Sequence, residues 1–449
     1  MKPDNKKKED QKLLWQIHHW AGVYSGIIIG ILCLTGAIAV FIPEITVMIQ
    51  KNYYSVSSAP VSPGALPRLN NAMAATKKQY PKMSGLLIDM PDKPDQAARF
   101  SFAIKGKDKA STKFHYLFVD IGADRVLGSA NLQDSFPNYL RQIHVRLYEG
   151  FWGRQLVGLG GIAFIIVTVT GFLIYGNFMK KQPYPKIRQK KGLRILMADW
   201  HKILGISALA FNFVIACTGA WLGLQPKLMV WFDIKAPNEV ELPLVTTPKE
   251  DKVLNVNWDE VFRIAKHEFP DLMPGYVRAS EDGSATIEIH GSIAGQIYER
   301  NINALILSKK NLRPVFKFDI RNASFRDRFY SIQEALHFGD FGGLGLKILY
   351  TLLGLTSAFL SISGFVVYLY RTDKKKLRKL SPLKTTFVYS MLVLLVLALI
   401  AAISMLIGYR QAALLARWIV NLSLFGYIIY ATANYFIKRK KTKTNPLNS

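Results

Sequence analysis

The 449-residue chain has only two cysteines, Cys33 and Cys217, and both fall inside long apolar runs. That excludes an exterior disulfide framework and any iron–sulfur or zinc site built from several cysteines. Both read as small buried apolar residues. Acidic residues are scarce as well, with 31 Asp and Glu against 58 Lys and Arg, for a net charge of +27. No Gly-x-Gly-x-x-Gly joins a strand to a helix and no P-loop occurs, so the chain has no flavin, nicotinamide or nucleotide site of its own. The apolar runs hold no carboxylate, which speaks against ion coupling and against a carboxylate proton relay through them.

What the chain has in abundance is apolar sequence, at 50% of residues. Six charge-free runs, 21–42, 155–179, 203–226, 348–370, 385–409 and 418–437, each hold 20 to 25 residues. A bilayer core of about 30 Å needs roughly 20 apolar residues of helix, so the runs predict six transmembrane helices. A small-x-small pattern at Ala37-Ile38-Ala39 resembles a signal cleavage site, but the apolar run continues past it to Ile42. The basic residues sort by loop: the N-terminal tail, 180–194, 371–384 and 438–443 together carry 24 of the 58 Lys and Arg. With six spans all four segments share one face, which the positive-inside rule makes the cytoplasm. The charge therefore serves topology, and nucleic acid is not expected as a partner. Trp15, Trp20, Trp152, Trp200, Trp231 and Trp418 stand near span ends, as interfacial anchors do.

The sequence repeats itself. His18, Gly22, Thr35-Gly36 and Pro43 recur 183 residues later as His201, Gly205, Thr218-Gly219 and Pro226. His144, Gly150, Gly161, Thr170-Gly171 and Tyr175 recur 193 residues later as His337, Gly343, Gly354, Ser363-Gly364 and Tyr368. The unit is span, exterior segment, span, written twice in parallel, with spans five and six added. In each exterior segment a helical stretch (69–80, then 258–269) precedes three strand-like stretches (83–90, 99–105 and 114–119, then 275–279, 285–290 and 302–307). Two small α+β exterior domains are expected. The organisation that follows is 1–43 tail and first span, 44–136 first exterior domain, 137–179 short helix and second span, 180–202 basic loop, and 203–226 third span. Then come 227–325 second exterior domain, 326–370 short helix and fourth span, 371–384 basic loop, 385–437 spans five and six, and 438–449 basic tail.

Four of the eight histidines sit at repeated positions. Topology puts His18 and His201 near one membrane face and His144 and His337 near the other. Gly150 and Gly343 each follow their histidine by six residues, so a short helix bearing the histidine can break there and fold over the bundle. Two facing imidazoles without Cys or carboxylate neighbours suit zinc poorly. They suit haem iron, which takes two axial ligands within a helical bundle. An interfacial histidine that snorkels to headgroups is the plain alternative. His115, His267 and His290 read as ordinary exterior residues.

The stretches LLWQIHHWAGVYSGIIIGILCLTGAIAVF, ADWHKILGISALAFNFVIACTGAW and ALHFGDFGGLGLKILYTLLGLTSAFLSISGFVVYLYR resemble the PepSY-associated transmembrane family of iron-regulated bacterial membrane proteins. The likeness covers roughly residues 12–375 and both exterior segments, which it makes PepSY-like. It implies an inner-membrane protein with both termini cytoplasmic, holding two b-type haems and reducing a ferric siderophore on the periplasmic side. His18 and His201 would then ligate the inner haem and His144 and His337 the outer one. His19, beside His18, is an alternative inner ligand, although the repeat aligns it with Lys202. The electron donor would be a separate cytoplasmic protein, a soluble reductant or a quinol, and the loops 180–194 and 371–384 could dock an acidic one. Phe136, Tyr139, Phe325, Phe329 and Tyr330, with Arg141, Arg326 and Arg328, would bind a ligand or haem propionates, or form an interfacial belt. Two other classes remain open: a non-catalytic module whose exterior domains bind a peptide or peptidase, and a permease for iron complexes.

Overall fold

A computed structural model describes residues 3–54, 56, 66–104, 113–132, 135–179, 187–237, 256–279 and 286–371, with isolated positions between 403 and 433. The fifth and sixth expected spans lie outside the described residues, isolated positions apart, as do residues 180–186 of the first basic loop, 372–384 of the second and the C-terminal tail. In chain order the helices and strands are α1 Pro3–Ala39, α2 Ile42–Ile49, α3 Lys51–Tyr54, α4 Asn70–Gln79, β1 Met83–Asp89, β2 Ala98–Ile104, β3 Lys113–Asp120, β4 Arg125–Ser129, α5 Phe136–Arg146 and α6 Gly150–Met179. There follow α7 Leu193–Ser207, α8 Leu209–Trp231, α9 Trp258–Glu268, β5 Met273–Ala279, β6 Thr286–Ser292, β7 Asn303–Ser308, β8 Pro314–Phe318, α10 Phe325–Phe338 and α11 Gly343–Arg371.

Among the described residues four helical stretches are long and apolar enough to cross a membrane: Glu9–Ala39, Gly150–Gly176, Leu209–Trp231 and Asp340–Tyr368. The chain is a helical membrane protein and the bilayer is its partner. α1 packs on α6 and α11, α6 on α8, and α11 on α7. Small residues let the backbones meet: a Cβ on Gly161 would lie 2.6 Å from the Ala220 nitrogen, and one on Gly223 would lie 2.4 Å from the Gly158 Cα.

Prolines shape the span ends differently from one another. The first helix stops at Ala39, short of the expected Ile42, and Pro43 opens α2 at a position where a missing N–H costs nothing. Pro226 was the expected end of the third span, yet α8 runs through it to Trp231. Proline cannot donate to the Leu222 carbonyl four residues back. The Arg154 guanidinium takes that carbonyl instead, through Nε at 3.0 Å and Nη2 at 2.7 Å. The third span also divides at Ala208 into α7 and α8, with His201 on the shorter piece.

The exterior segments form one antiparallel sheet of eight strands, ordered β4-β3-β2-β1-β5-β6-β7-β8, where two separate domains were expected. β1 and β5 make the seam, pairing Leu86 with Ala279, Ile88 with Val277 and Asp89 with Tyr276. Seen from the sequence, each segment has its own helix and strands; the merger arises because neither four-strand meander covers its inner edge. One face of the whole sheet packs on α4 and α9 over a single core. That core joins Met73, Ile88, Phe100 and Leu117 from the first segment to Trp258, Phe262, Ile289 and Leu305 from the second. Each such large side chain contributes about 1.5–3 kcal/mol on burial. The two helices also cap across the seam: the Trp258 backbone N–H donates to Asn70 Oδ1 at 2.8 Å, and Asn70 Nδ2 donates to Asn257 Oδ1 at 2.9 Å. At the sheet end of the bundle, the buried Lys347 ammonium meets Glu44 of α2 at 2.6 Å.

Candidate functional site

The connectivity puts α5 and α10 between the sheet and the bundle. Ser135 Oγ accepts from the Asn138 N–H to start α5, and Ser324 Oγ accepts from the Asp327 N–H to start α10. Each helix ends in a left-handed turn, Leu147 (φ 46°) and Tyr148 (φ 63°) after α5, and Gly339 (φ 64°) after α10. A side chain at 339 would also strike the Tyr350 ring at 2.6 Å. These turns swing the chain from a helix lying at the sheet into a span, and they leave His144 and His337 side by side.

The four histidines meet in two pairs. Ring centroids of His18 and His201 are 6.4 Å apart at an interplanar angle of 83°, and those of His144 and His337 are 6.1 Å apart at 34°. A metal between two imidazoles, with metal–nitrogen bonds of about 2.0–2.1 Å and about 1 Å more to each ring centre, sets centroids about 6 Å apart. His144 lies against Leu32 and Thr35 of α1, so the pairs are separated along α1 by the rise from residue 18 to 35, about 25 Å. That is most of a bilayer core.

Hydroxyls on neighbouring helices fix the protonation of every ring. Thr35 Oγ1 donates to the Ile31 carbonyl at 2.7 Å, so it can only accept from His144 Nδ1 at 3.2 Å. Thr218 donates to Val214 at 2.7 Å and accepts from His337 Nδ1 at 3.0 Å. Thr170 donates to Ile166 at 2.6 Å and accepts from His18 Nδ1 at 3.1 Å. Ser363 donates to Leu360 at 3.1 Å and accepts from His201 Nδ1 at 3.0 Å. The Val167 and Leu32 carbonyls add second acceptors for His18 (3.0 Å) and His144 (3.1 Å). Nδ1 therefore carries the proton, and Nε2, which makes no hydrogen bond among the described residues, keeps its lone pair. This is the orienting arrangement that metal-ligating histidines use.

The glycine after each hydroxyl residue makes room for the ring. A Cβ on Gly36 would lie 2.8 Å from His144 Cε1; on Gly171, 3.1 Å from His18; on Gly364, 3.2 Å from His201; and on Gly219, 3.3 Å from His337. The Thr-Gly and Ser-Gly pairs stood out in the sequence as repeat markers without a role. In space each one cradles a histidine from another helix.

At the end of the bundle remote from the sheet, a cavity of about 270 Å³ opens beside His18 and His201. Gly22, Gly26 and Gly205 line it, and nothing comes within 3.8 Å of a Cβ built on any of them. That leaves room for a flat cofactor against backbone. His19 lines the same cavity, but its ring packs on Tyr368 at 4.9 Å and Trp20 at 5.2 Å, so His18 is the ring facing His201. Among the described residues no three His, Cys, Asp or Glu side chains gather into a metal cage, so the donor set is paired imidazole. At His18 and His201 the donors and the space both fit a bis-imidazole iron cofactor, and at His144 and His337 the paired donors fit one.

The remaining sequence candidates scatter. The Tyr330 hydroxyl accepts from Gln225 Nε2 at 2.8 Å and donates to Met229 Sδ at 3.8 Å, both on α8. Phe325 and Phe329 are exposed and stack on each other at 6.2 Å. Arg328 reaches the Arg321 carbonyl. His290 is buried in the sheet and stacks on Tyr276 at 4.6 Å, His115 stacks on Phe102, and His267 is exposed.

The family profile described as the PepSY-associated TM region matches residues 15–371. Among curated proteins, an uncharacterized protein of Pseudomonas aeruginosa is 24% identical over 249 residues, a match covering 52% of this chain and 63% of that protein. The chain thus spans less than two thirds of that relative's length.

Proposed function

The chain belongs to the PepSY-associated TM family, and from that premise we propose that it is a di-haem electron conduit that reduces a ferric siderophore. The reading takes the whole chain as six spans with an internal parallel repeat, set in a bacterial inner membrane with both termini cytoplasmic and the sheet in the periplasm. His18 and His201 hold the haem of the cytoplasmic leaflet, and His144 and His337 hold that of the periplasmic leaflet. Electrons come from a cytoplasmic donor or the quinol pool.

The single observation that carries this reading is the hydroxyl lock. Four histidines on four helices each have Nδ1 bound to a hydroxyl that can only accept, which leaves four Nε2 lone pairs in two facing sets. A histidine snorkelling to lipid headgroups has no need of a fixed tautomer. When bound, b-type haem supplies one-electron redox chemistry at iron. The chain's own residues hold the rings upright, keep Nε2 unprotonated and exclude water around the remote pair with Phe164, Ile174 and Leu360.

The test is an absorption spectrum of the purified protein before and after dithionite, with haem quantified per chain. Two low-spin b-type haems support the conduit. His18→Ala and His201→Ala should each remove one haem, and His144→Ala and His337→Ala the other. A folded, colourless protein from haem-replete cells would sink the reading and leave the non-catalytic peptide-binding module to be tested.

A further inference from the structure

The cavity beside His18 and His201 has two unlike ends. Its inner end, toward the sheet, is made by Ile29, Asn212 and Ser357, all of them buried. Its outer end is reached past Trp15, which is 41% exposed. The polar lining is sorted the same way. Toward the inner end it is neutral: Thr168, Ser361, and Asn212 with Ser357, which bond each other at 2.5 Å. Toward the outer end stand His19, Lys202, Tyr175 and Tyr368. Among the described residues no Asp or Glu lines the cavity.

These four residues are two repeat-related couples. His19 precedes Lys202 by 183 residues, and Tyr175 precedes Tyr368 by 193. The His19 ring packs on Tyr368 at 4.9 Å, so α1 and α11 bring an imidazole and a phenol together. The repeat sets Lys202 of α7 and Tyr175 of α6 at the equivalent positions. All four side chains are half-buried. A half-buried ammonium on a largely apolar wall attracts an anion more strongly than it does in water. Asp199, the acid one turn before Lys202, has both oxygens held by Arg188, at 2.9 and 2.7 Å. A carboxylate accepts from ammonium, phenol and imidazole N–H alike. Two such donor sets on one rim of a flat cavity suit a planar ligand with two carboxylates along one edge.

We propose that the outer rim of this cavity is a double carboxylate site, with His19 and Tyr368 holding one group and Lys202 and Tyr175 the other. The carboxylates are the two propionates of the cofactor between His18 and His201, so the inference rests on the haem reading. The four side chains are positioning residues: they turn the propionate edge outward and the apolar edge toward Ile29 and Phe164. His19 then has a task of its own beside the iron ligand His18.

The experiment titrates haem-free full chain, in mild detergent, with ferric haem and with haem dimethyl ester, whose carboxylates are masked. An H144A background leaves the His18–His201 pair as the one to fill, and the thermal midpoint of each haem-free variant is recorded first. With the rim intact, haem should bind about tenfold more tightly than the ester. K202A, Y175F and Y368F should each weaken haem binding several-fold and leave the ester unaffected, and K202R should recover most of the loss. H19Q should behave like them and keep a low-spin bis-imidazole spectrum. Equal binding of haem and ester by the intact rim overturns the proposal. So does an equal loss of both ligands in the variants, which would make the rim a matter of packing. Loss of the low-spin spectrum in H19Q would return His19 to the iron and overturn its part. Binding of neither ligand removes the haem reading as well, whereas equal binding removes this inference alone.

Discussion

Thr218 gives its hydroxyl proton to Val214 and receives the Nδ1 proton of His337, with Oγ1 2.7 Å from the carbonyl and 3.0 Å from the ring nitrogen. Thr218→Val keeps the shape and removes the acceptor. A buried donor left unsatisfied costs about 1–3 kcal/mol, and orienting partners of this kind are worth about 10–100-fold in metal affinity. Haem per chain should fall from two toward one in T218V and return in T218S. Full occupancy in T218V with an unshifted midpoint potential would deny the hydroxyl its role.

Gly36 tests space rather than hydrogen bonding. Gly36→Ala puts a methyl 2.8 Å from His144 Cε1, whereas at Gly176 nothing lies within 4 Å of the added carbon. G36A should lose the haem of the sheet-side pair and keep the other. G176A should match wild type in both haem content and thermal midpoint.

The two pairs differ in ring orientation, 83° at the remote end and 34° at the sheet end. Near-perpendicular axial imidazoles leave the iron d orbitals nearly degenerate, and nearer-parallel ones split them. Low-spin electron paramagnetic resonance of the oxidised protein should show two signals. The one with the wider g anisotropy should vanish in H18A and H201A and persist in H144A.

Glu299 supplies a pH dependence outside the spans. Burial, and then the Glu334 charge, push its carboxyl up to about 8. Between the ordinary carboxyl range and pH 8 the folded chain holds a proton that the unfolded chain releases, so stability falls as pH rises through that window. The thermal midpoint of wild type should drop between pH 5 and pH 8.5, and Glu299→Gln should flatten that drop. Parallel curves for the two proteins would show that the carboxyl titrates normally.

The first four spans, the facing histidines and the short helices before the second and fourth spans were legible because they are written in local periodicity and spacing. The cradles were half legible. Thr35-Gly36 and its counterparts were visible as repeated dipeptides, but each serves a histidine more than 100 residues away, which only helix packing can show. Pro226 misled because its carbonyl partner is rescued by Arg154, a residue on another span. β4 and β8 were missed for local reasons. β4 is short and carries Gly128, and β8 begins at Pro314, both of which weaken a strand signal. The β1–β5 seam left no mark at all in the sequence, since edge pairing between remote segments changes no local pattern.

That seam has a mechanical consequence. A carrier that alternates access must let its two halves tilt against each other about the substrate. Here any such tilt would have to shear Leu86–Asp89 of β1 from Tyr276–Ala279 of β5 and split one shared core. The sheet ties the two halves of the repeat together at one end of the bundle, a constraint that the proposed conduit tolerates and a rocking carrier would have to break.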